Sequence, residues 1–342
     1  MASKDIIFSK PKGSINGFDI LKILMATMIV AIHTNIKDNP IFHALFWPMV
    51  REAVPVFFIL SSYFYFNKQR SANFDKRNLF HFVKRIGILY LFWLIVNIPF
   101  IIYFKSIDFV SDSLLGNILI FFKLCLFHQL RGYTGSWFFS GLIWAICIIT
   151  SLKLLKIHDS LVILIGMICY CIVWYPEALP HFLMAIKYYF SAHITPSLNV
   201  TLFTAIPWCI VGYLLTDSRI AIWVNRIRFM HIFSITSIVY IVFAVFDGSI
   251  QDYAWRNLIL APLTVLLFYS ASFPSWNRYK TLRNLSVLIF MLHFILIKLF
   301  APLHIKNVIY VFFVVITFSI LIGMTILKIE NTKYFKWLQY SH

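Results

Sequence analysis

Charge is scarce in this chain, and acidic charge most of all. Its 342 residues hold only 13 Asp and Glu, and charged residues make up 13% of the total. A soluble domain carries roughly 25% charged and roughly 45–50% apolar residues. Here 61% are hydrophobic and the mean hydropathy is +0.82, so a water-solvated globular surface is excluded. No Walker-type glycine-rich phosphate loop is present, which removes an ATP-driven pump. No segment alternates with the period of two that an outer-membrane barrel needs. The 5 Cys fall in or beside apolar stretches and show neither disulfide nor zinc spacing. Cys169 and Cys171 are two apart and point to different faces of a helix. Only Asp19 and Glu52 approach an apolar core, which disfavours a carrier built on buried carboxylates. Internal repeats and low-complexity linkers are also missing, so residues 1–342 are read as one domain.

What remains is apolar sequence, rich in Ile, Leu and 36 Phe. A helix needs ~20 mainly apolar residues to cross the hydrocarbon core. Ten stretches qualify: 18–36, 48–66, 82–104, 136–152, 160–175, 200–216, 230–246, 256–272, 284–302 and 308–328. The expected fold is all-α, a polytopic transmembrane helical bundle of about ten spans. About 17 residues at the N-terminus and about 14 at the C-terminus would be cytoplasmic tails. Residues 114–127 are too short to span comfortably and are read as an interfacial or re-entrant helix. The first span lacks a small-residue cleavage site and carries Lys22 near its start, so it is not read as a cleaved signal peptide.

The basic residues orient this bundle. With the N-terminus inside, 20 of the 30 Lys and Arg fall in inner segments, among them Lys68, Arg70, Lys76, Arg77, Lys84 and Arg85. Seven fall outside: Lys37, Lys105, Lys123, Arg131, Lys187, Arg256 and Lys306. That asymmetry is the positive-inside pattern, and it favours an even number of spans with both termini cytoplasmic. The net charge of +17 is dealt out loop by loop. A nucleic-acid interface would gather it on one surface, so no nucleic acid is expected.

Ionisable residues inside spans are costly and by default mark a functional interior. The first span reads FDILKILMATMIVAIH. Asp19 and Lys22, three apart, share a helix face. Lys22 and His33, eleven apart, share a stripe, with His33 ~16 Å further along the axis. A cation at the inner mouth and an imidazole deeper in the same lane suit an anionic donor entering from the cytoplasm. The imidazole would then serve as general base toward an acceptor hydroxyl or amine. The plainer readings stand beside this one: Lys22 snorkels to headgroups, and His33 is a hydrogen-bonded interior histidine. In the second span, REAVPVFFILSSYFYF, Glu52 lies level with His33 and is placed to hold its tautomer. An Arg51–Glu52 charge balance and plain interfacial exposure are the competing readings, and for Ser61 and Ser62 the plainer one is mending backbone hydrogen bonds or helping helices pack. Ser61, Tyr63 or a backbone N–H are candidates for oxyanion stabilisation. Trp137 begins the fourth span, where an interface anchor is the ordinary role, and His293 lies well inside the ninth.

In their order these motifs resemble the acyltransferase-3 family of membrane acyltransferases. The first-span motif of that family, Asp, then Arg three on, then His, reads Asp19, Lys22 and His33 here, with Lys for Arg. The second-span motif is carried by Val54, Pro55, Phe57, Phe58, Ser61 and Tyr63, with Ser62 where Gly is usual. The basic entry to the third span is carried by Lys84 and Arg85, with Ile88 where a second Arg is usual. Trp137, Phe138, Phe139 and Leu142 match a fourth element. Gly135 and Ser136 stand where a polar residue, often His, usually precedes that Trp. Ser286, Phe290 and His293 match the last. The chain is also similar to the membrane domain of vancomycin-resistance serine racemases.

The resemblance implies an enzyme of the bacterial cytoplasmic membrane. It would take an acyl group, usually acetyl, from acyl-CoA on the cytoplasmic side. The acceptor would be a hydroxyl or amine of a carbohydrate or lipid-linked glycan. Catalytic roles are expected for His33, Glu52 and Ser61. Donor binding or support is expected from Asp19, Lys22, Arg51, Lys84, Arg85, Tyr63, Trp137 and His293. No bound cofactor and no metal are expected, acyl-CoA being a substrate. Two alternatives remain open: a transporter or flippase for a lipid-linked sugar, and a non-catalytic sensor or assembly subunit.

Overall fold

In the computed structural model the described residues are 13–103, 113–127, 133–175, 202–245, 250–303 and 307–342, with 130, 180–182, 185, 188 and 305. Among them the architecture is all-helical. The helices are α1 (Gly13–His33), α2 (Pro40–Ser71), α3 (Lys76–Tyr103), α4 (Leu114–Phe127), α5 (Ser136–Leu154) and α6 (Asp159–Trp174). They continue as α7 (Thr204–Leu214), α8 (Ser218–Arg226), α9 (Phe229–Val245), α10 (Ile250–Ser270), α11 (Tyr279–Phe300) and α12 (Val308–Ile329). Short 3-10 turns follow α1 and α11, and a further one, Lys336–Ser341, follows α12.

Each of the ten expected spans coincides with a helix, but their lengths differ from expectation. Six helices, α1, α2, α3, α5, α11 and α12, are long and apolar enough to cross a membrane. Helices α7 and α8 qualify only together, as a pair bent by 71° at the break. Apolar helices 159–174, 229–245 and 254–270 are shorter than a full span. Among the described residues the count of helices that meet a full span's length and composition is therefore six or seven. The expected boundaries missed most at α2, which runs 32 residues from Pro40 rather than starting at 48. Polar Asn39 explains the early start: its side chain accepts from Phe42 N at 2.9 Å, and Pro40 at the first helical position sacrifices no bond. Asn307 caps α12 the same way, accepting from Ile309 N and Tyr310 N.

Helix α1 is the central element, packed against α2, α10 and α11. Helix α7 lies on α2, α5 and α6, α3 on α5, and α12 on α11. Apolar side chains such as Phe233, Ile238, Phe313 and Leu321 remain exposed on the outer helices, the surface that lipid covers. Pro55 interrupts α2 and leaves the carbonyl of Arg51 without its helical donor. Asn257 Nδ2 of α10 donates to that carbonyl at 3.3 Å, a repair of the kind that lets membrane helices tolerate proline. Gly212 of α7 meets α2 where a Cβ would lie 2.0 Å from Ser62 Oγ and 2.4 Å from Ile59 O. Ser62 itself donates to Phe58 O at 2.7 Å, so it fills backbone demand. All five cysteines are free.

The C-terminal segment, expected as a cytoplasmic tail, packs against the bundle. Trp93 Nε1 of α3 donates to Ser341 O at 2.9 Å, and the Trp337 ring lies 5.8 Å from Phe92. His342 Nε2 sits 3.3 Å from Glu330 Oε2. The segment thus folds back along α3.

Candidate functional site

A cavity of about 550 Å³ opens among α1, α2, α3, α5, α11 and the C-terminal segment. Small-molecule sites span roughly 300–1,000 Å³. Lys22 of α1, Lys84 and Arg85 of α3 and Arg283 of α11 line it, and no Asp or Glu does among the described residues. His81, Gln339, Tyr340 and His342 add polar groups. Its deep end is apolar: Phe57 of α2, Phe138 of α5 and Phe290 of α11. These three rings lie 6.3, 5.9 and 5.4 Å apart pairwise, the spacing of packed aromatic pairs.

Immediately beyond this aromatic floor lie two imidazoles. The His33 and His293 ring centroids are 5.3 Å apart. Phe290 is 6.0 Å from His293, and Phe294 is 4.7 Å from His33. Helical spacing produces the arrangement. On α11, Arg283, Ser286, Val287 and Phe290 line the cavity, and His293 follows one turn further on the same stripe. On α1, Lys22 faces the cavity and His33 lies three turns beyond. His293 is fully buried, and its Nδ1 lies 3.0 Å from Ile289 O. That bond makes Nδ1 the protonated nitrogen of the neutral ring, leaving Nε2 with a lone pair and no hydrogen-bond partner among the described residues.

The expected site residues divide between two faces of α2. Ser61 lines the cavity with Phe57. Glu52 is nine residues away, half a rotation at about 100° per residue, so it faces α10. There it is buried and Thr264 Oγ1 donates to its Oε2 at 2.9 Å. The expected Glu52–His33 approach is replaced by this bond: among the described residues the recorded ring neighbours of His33 are His293 and Phe294. Tyr63 shares the Glu52 face and packs edge-on to Phe18 at 5.3 Å and to Tyr269 at 6.4 Å, outside the cavity lining. Arg51 stands 5.8 Å over the Trp47 ring, and Trp137 is 6.0 Å from Phe58; neither lines the cavity. Lys22, Lys84 and Arg85 do. Asp19 is buried behind them, its Oδ1 3.2 Å from Arg283 Nε. Lys22 Nζ lies 4.5 Å over the Phe64 ring. Among the described residues no three His, Cys, Asp or Glu side chains gather as metal ligands would.

Sequence reasoning missed Arg283 as a site residue. The signal was present as spacing: Arg283, Ser286, Phe290 and His293 fall at steps of three or four on one helix.

Against known families, the model described as an acyltransferase domain matches residues 15–328. The chain belongs to the acyltransferase-3 family. Two curated relatives match parts of it. An amino-acid racemase of Enterococcus faecalis is 31% identical over 147 residues, covering 40% of this chain and 19% of its own length. A serine/alanine racemase of Enterococcus gallinarum is 28% identical over 149 residues, covering 40% of this chain and 19% of its own length. The chain thus matches about a fifth of the curated relatives' length. No solved structure matches it. Family and apolar helices together make this a multi-pass membrane protein of an acyltransferase family.

Proposed function

We propose that the protein transfers an acyl group, acetyl in the first instance, from cytoplasmic acyl-CoA to a hydroxyl or amine of a cell-surface or lipid-linked glycan. The observation that carries this reading is a basic cavity backed by two imidazoles. A cavity with four cations and, among the described residues, no lining Asp or Glu ends on an aromatic floor, with His33 and His293 next beyond it. Coenzyme A carries phosphate charge at one end and its thioester at the other. The cations attract the first end, and the apolar floor suits the acyl and pantetheine portion.

The chemistry then follows from His33. Its ring nitrogen takes the proton of the acceptor hydroxyl as the oxygen attacks the thioester carbonyl. The tetrahedral oxyanion collapses and the carbon–sulfur bond breaks. The thiolate leaves into the cavity, taking the proton back from the imidazolium. Ser61 lines the cavity, as Ser286 and Tyr340 do, and we assign its hydroxyl to steady the oxyanion or thiolate. His293 is assigned a supporting role, with Nε2 ready to share the proton of His33.

In this reading residues 1–342 act as one unit in the bacterial cytoplasmic membrane. The basic cavity opens to the cytoplasm, with both termini on that side. The test is transfer of radiolabelled acetyl from acetyl-CoA to a membrane-glycan extract by the purified protein. Transfer that is lost in His33→Ala is the expected result. Undiminished transfer in that variant removes the catalytic role of His33. A wild type that transfers nothing, yet moves lipid-linked sugar across proteoliposomes, is a transporter.

A further inference from the structure

The four cations of the cavity are not equivalent. Lys22, Lys84 and Arg85 belong to motifs read in the sequence. Arg283 comes from the first turns of α11, and its surroundings differ. Its side chain is 46% exposed, and its Nε is held 3.2 Å from Asp19 Oδ1, whose side chain is 1% exposed. A buried carboxylate needs a cationic partner to be stable there, and Arg283 is the recorded ion-pair partner of Asp19 among the described residues. The contact is an ion pair at the Nε edge of the guanidinium and not a hydrogen bond, since neither Asp19 oxygen has a hydrogen-bond partner among the described residues. The terminal nitrogens of Arg283 have no recorded protein acceptor among the described residues, while the side chain lines the cavity. A guanidinium is a planar fork that can grip two phosphate oxygens at once, which the point charge of a lysine cannot.

We propose that Arg283, oriented by Asp19, is the phosphate-gripping residue of the cavity and sets its preference for a phosphorylated donor. The assignment rests on the acyl-CoA reading for its natural ligand. It rests on the geometry alone for its chemistry: a phosphate ester or pyrophosphate seated against the fork. Lys84 and Arg85 supply long-range attraction and Lys22 closes the inner side. Arg283 supplies directional bonds. Asp19 is a positioning residue that acts through Arg283.

The test is calorimetric binding to the full-length protein in phosphatidylcholine nanodiscs, with coenzyme A, pantetheine and inorganic pyrophosphate as probes. Arg283→Gln weakens coenzyme A by tenfold or more, and Arg283→Lys weakens it severalfold, while pantetheine affinity moves less than twofold in either. The dependence of coenzyme A affinity on salt also becomes shallower. Should Arg283→Gln fail to fold because Asp19 is left uncompensated, Asp19→Asn/Arg283→Gln removes both partners and gives the same readout. Coenzyme A affinity within twofold of wild type in these variants overturns the proposal and leaves the acyl-CoA reading intact. A wild type that binds pyrophosphate in an Arg283-dependent way, but not coenzyme A, keeps the phosphate site and discards the acyl-CoA donor. A wild type that binds neither overturns both. Discs containing phosphatidylglycerol separate a donor from a lipid headgroup. Headgroup competition in those discs, with no coenzyme A binding in the neutral ones, assigns the fork to lipid and overturns the proposal.

Discussion

The imidazoles of His33 and His293 lie with ring centroids 5.3 Å apart, one from the first helix and one from the eleventh. Neither lines the basic cavity, whose floor of Phe57, Phe138 and Phe290 stands between. Binding and chemistry are therefore separable by mutation. In His33→Ala, transfer falls by about 10²–10⁴, the usual worth of a positioned general base, while coenzyme A affinity stays within twofold. Calorimetry and single-turnover transfer on the same preparation check the two halves. A parallel loss of both would place His33 in donor binding instead.

His293 tests whether the second ring is chemistry or scaffold. Its Nδ1 bonds the carbonyl of Ile289 one turn back. His293→Asn keeps a side-chain donor for that carbonyl and removes the Nε2 lone pair. The expected outcome is a thermal midpoint close to wild type with transfer reduced about tenfold or more, on the general-base scale of proton-transfer contributions. Unchanged transfer at unchanged stability reduces His293 to packing.

The aromatic floor makes a prediction of its own. In the proposed mechanism the floor would keep water from His33, as enclosed active sites do. Phe290→Ala opens the cavity toward His33 and lets water compete with the acceptor. Thiol release from acetyl-CoA without acceptor should rise severalfold, followed with a thiol-reactive dye. Phe290→Trp should slow transfer and leave thiol release low. If Phe290→Ala leaves both rates unchanged, the three rings are not a barrier.

Much of this was legible in the residues. The ten apolar stretches, the Lys22–His33 stripe and the Ser61-bearing second span all follow from helical periodicity and hydropathy, which local sequence carries. Four things were not legible. The bend between α7 and α8 depends on how a chain breaks near Leu215–Asp217, and the apolar pattern runs straight through to it. The partner of Glu52 depends on which face of α2 meets α10, so its level beside His33 in the membrane says nothing about direction. Arg283 joins Asp19 across 264 positions of sequence, and only tertiary packing brings such pairs together. The C-terminal segment was read as a tail because it lies beyond the last apolar stretch. Its docking depends on one indole donor, Trp93 Nε1, meeting Ser341 O.

Close helix contact at Gly212 gives a stability prediction away from the chemistry. A Cβ there would meet Ser62 Oγ and Ile59 O far inside contact distance, and backbone cannot yield cheaply. Gly212→Ala should destabilise the fold by about 1–3 kcal/mol, the usual cost of overpacking. Gly87, whose added Cβ meets nothing within 4 Å, is the control: Gly87→Ala should hold or raise stability, in line with helix propensity. Thermal unfolding in one detergent compares the two.

The repair at Pro55 can be dissected by a double-mutant cycle. Pro55 has no N–H to give Arg51 O, and Asn257 Nδ2 takes its place at 3.3 Å. In the wild-type background Asn257→Ala removes that substitute and should cost about 0.6 kcal/mol, with ~1.7 kcal/mol as the upper end seen for interhelical bonds in membranes. Pro55→Ala restores the helical donor, so the carbonyl no longer needs Asn257. The cost of Asn257→Ala should then shrink toward zero, and the cycle should show a coupling of similar size. Unfolding of the two single variants and the double variant, measured against wild type, gives the four corners. An Asn257→Ala cost that is the same with and without Pro55 would show that Asn257 stabilises the α2–α10 contact by packing rather than by supplying the missing hydrogen bond.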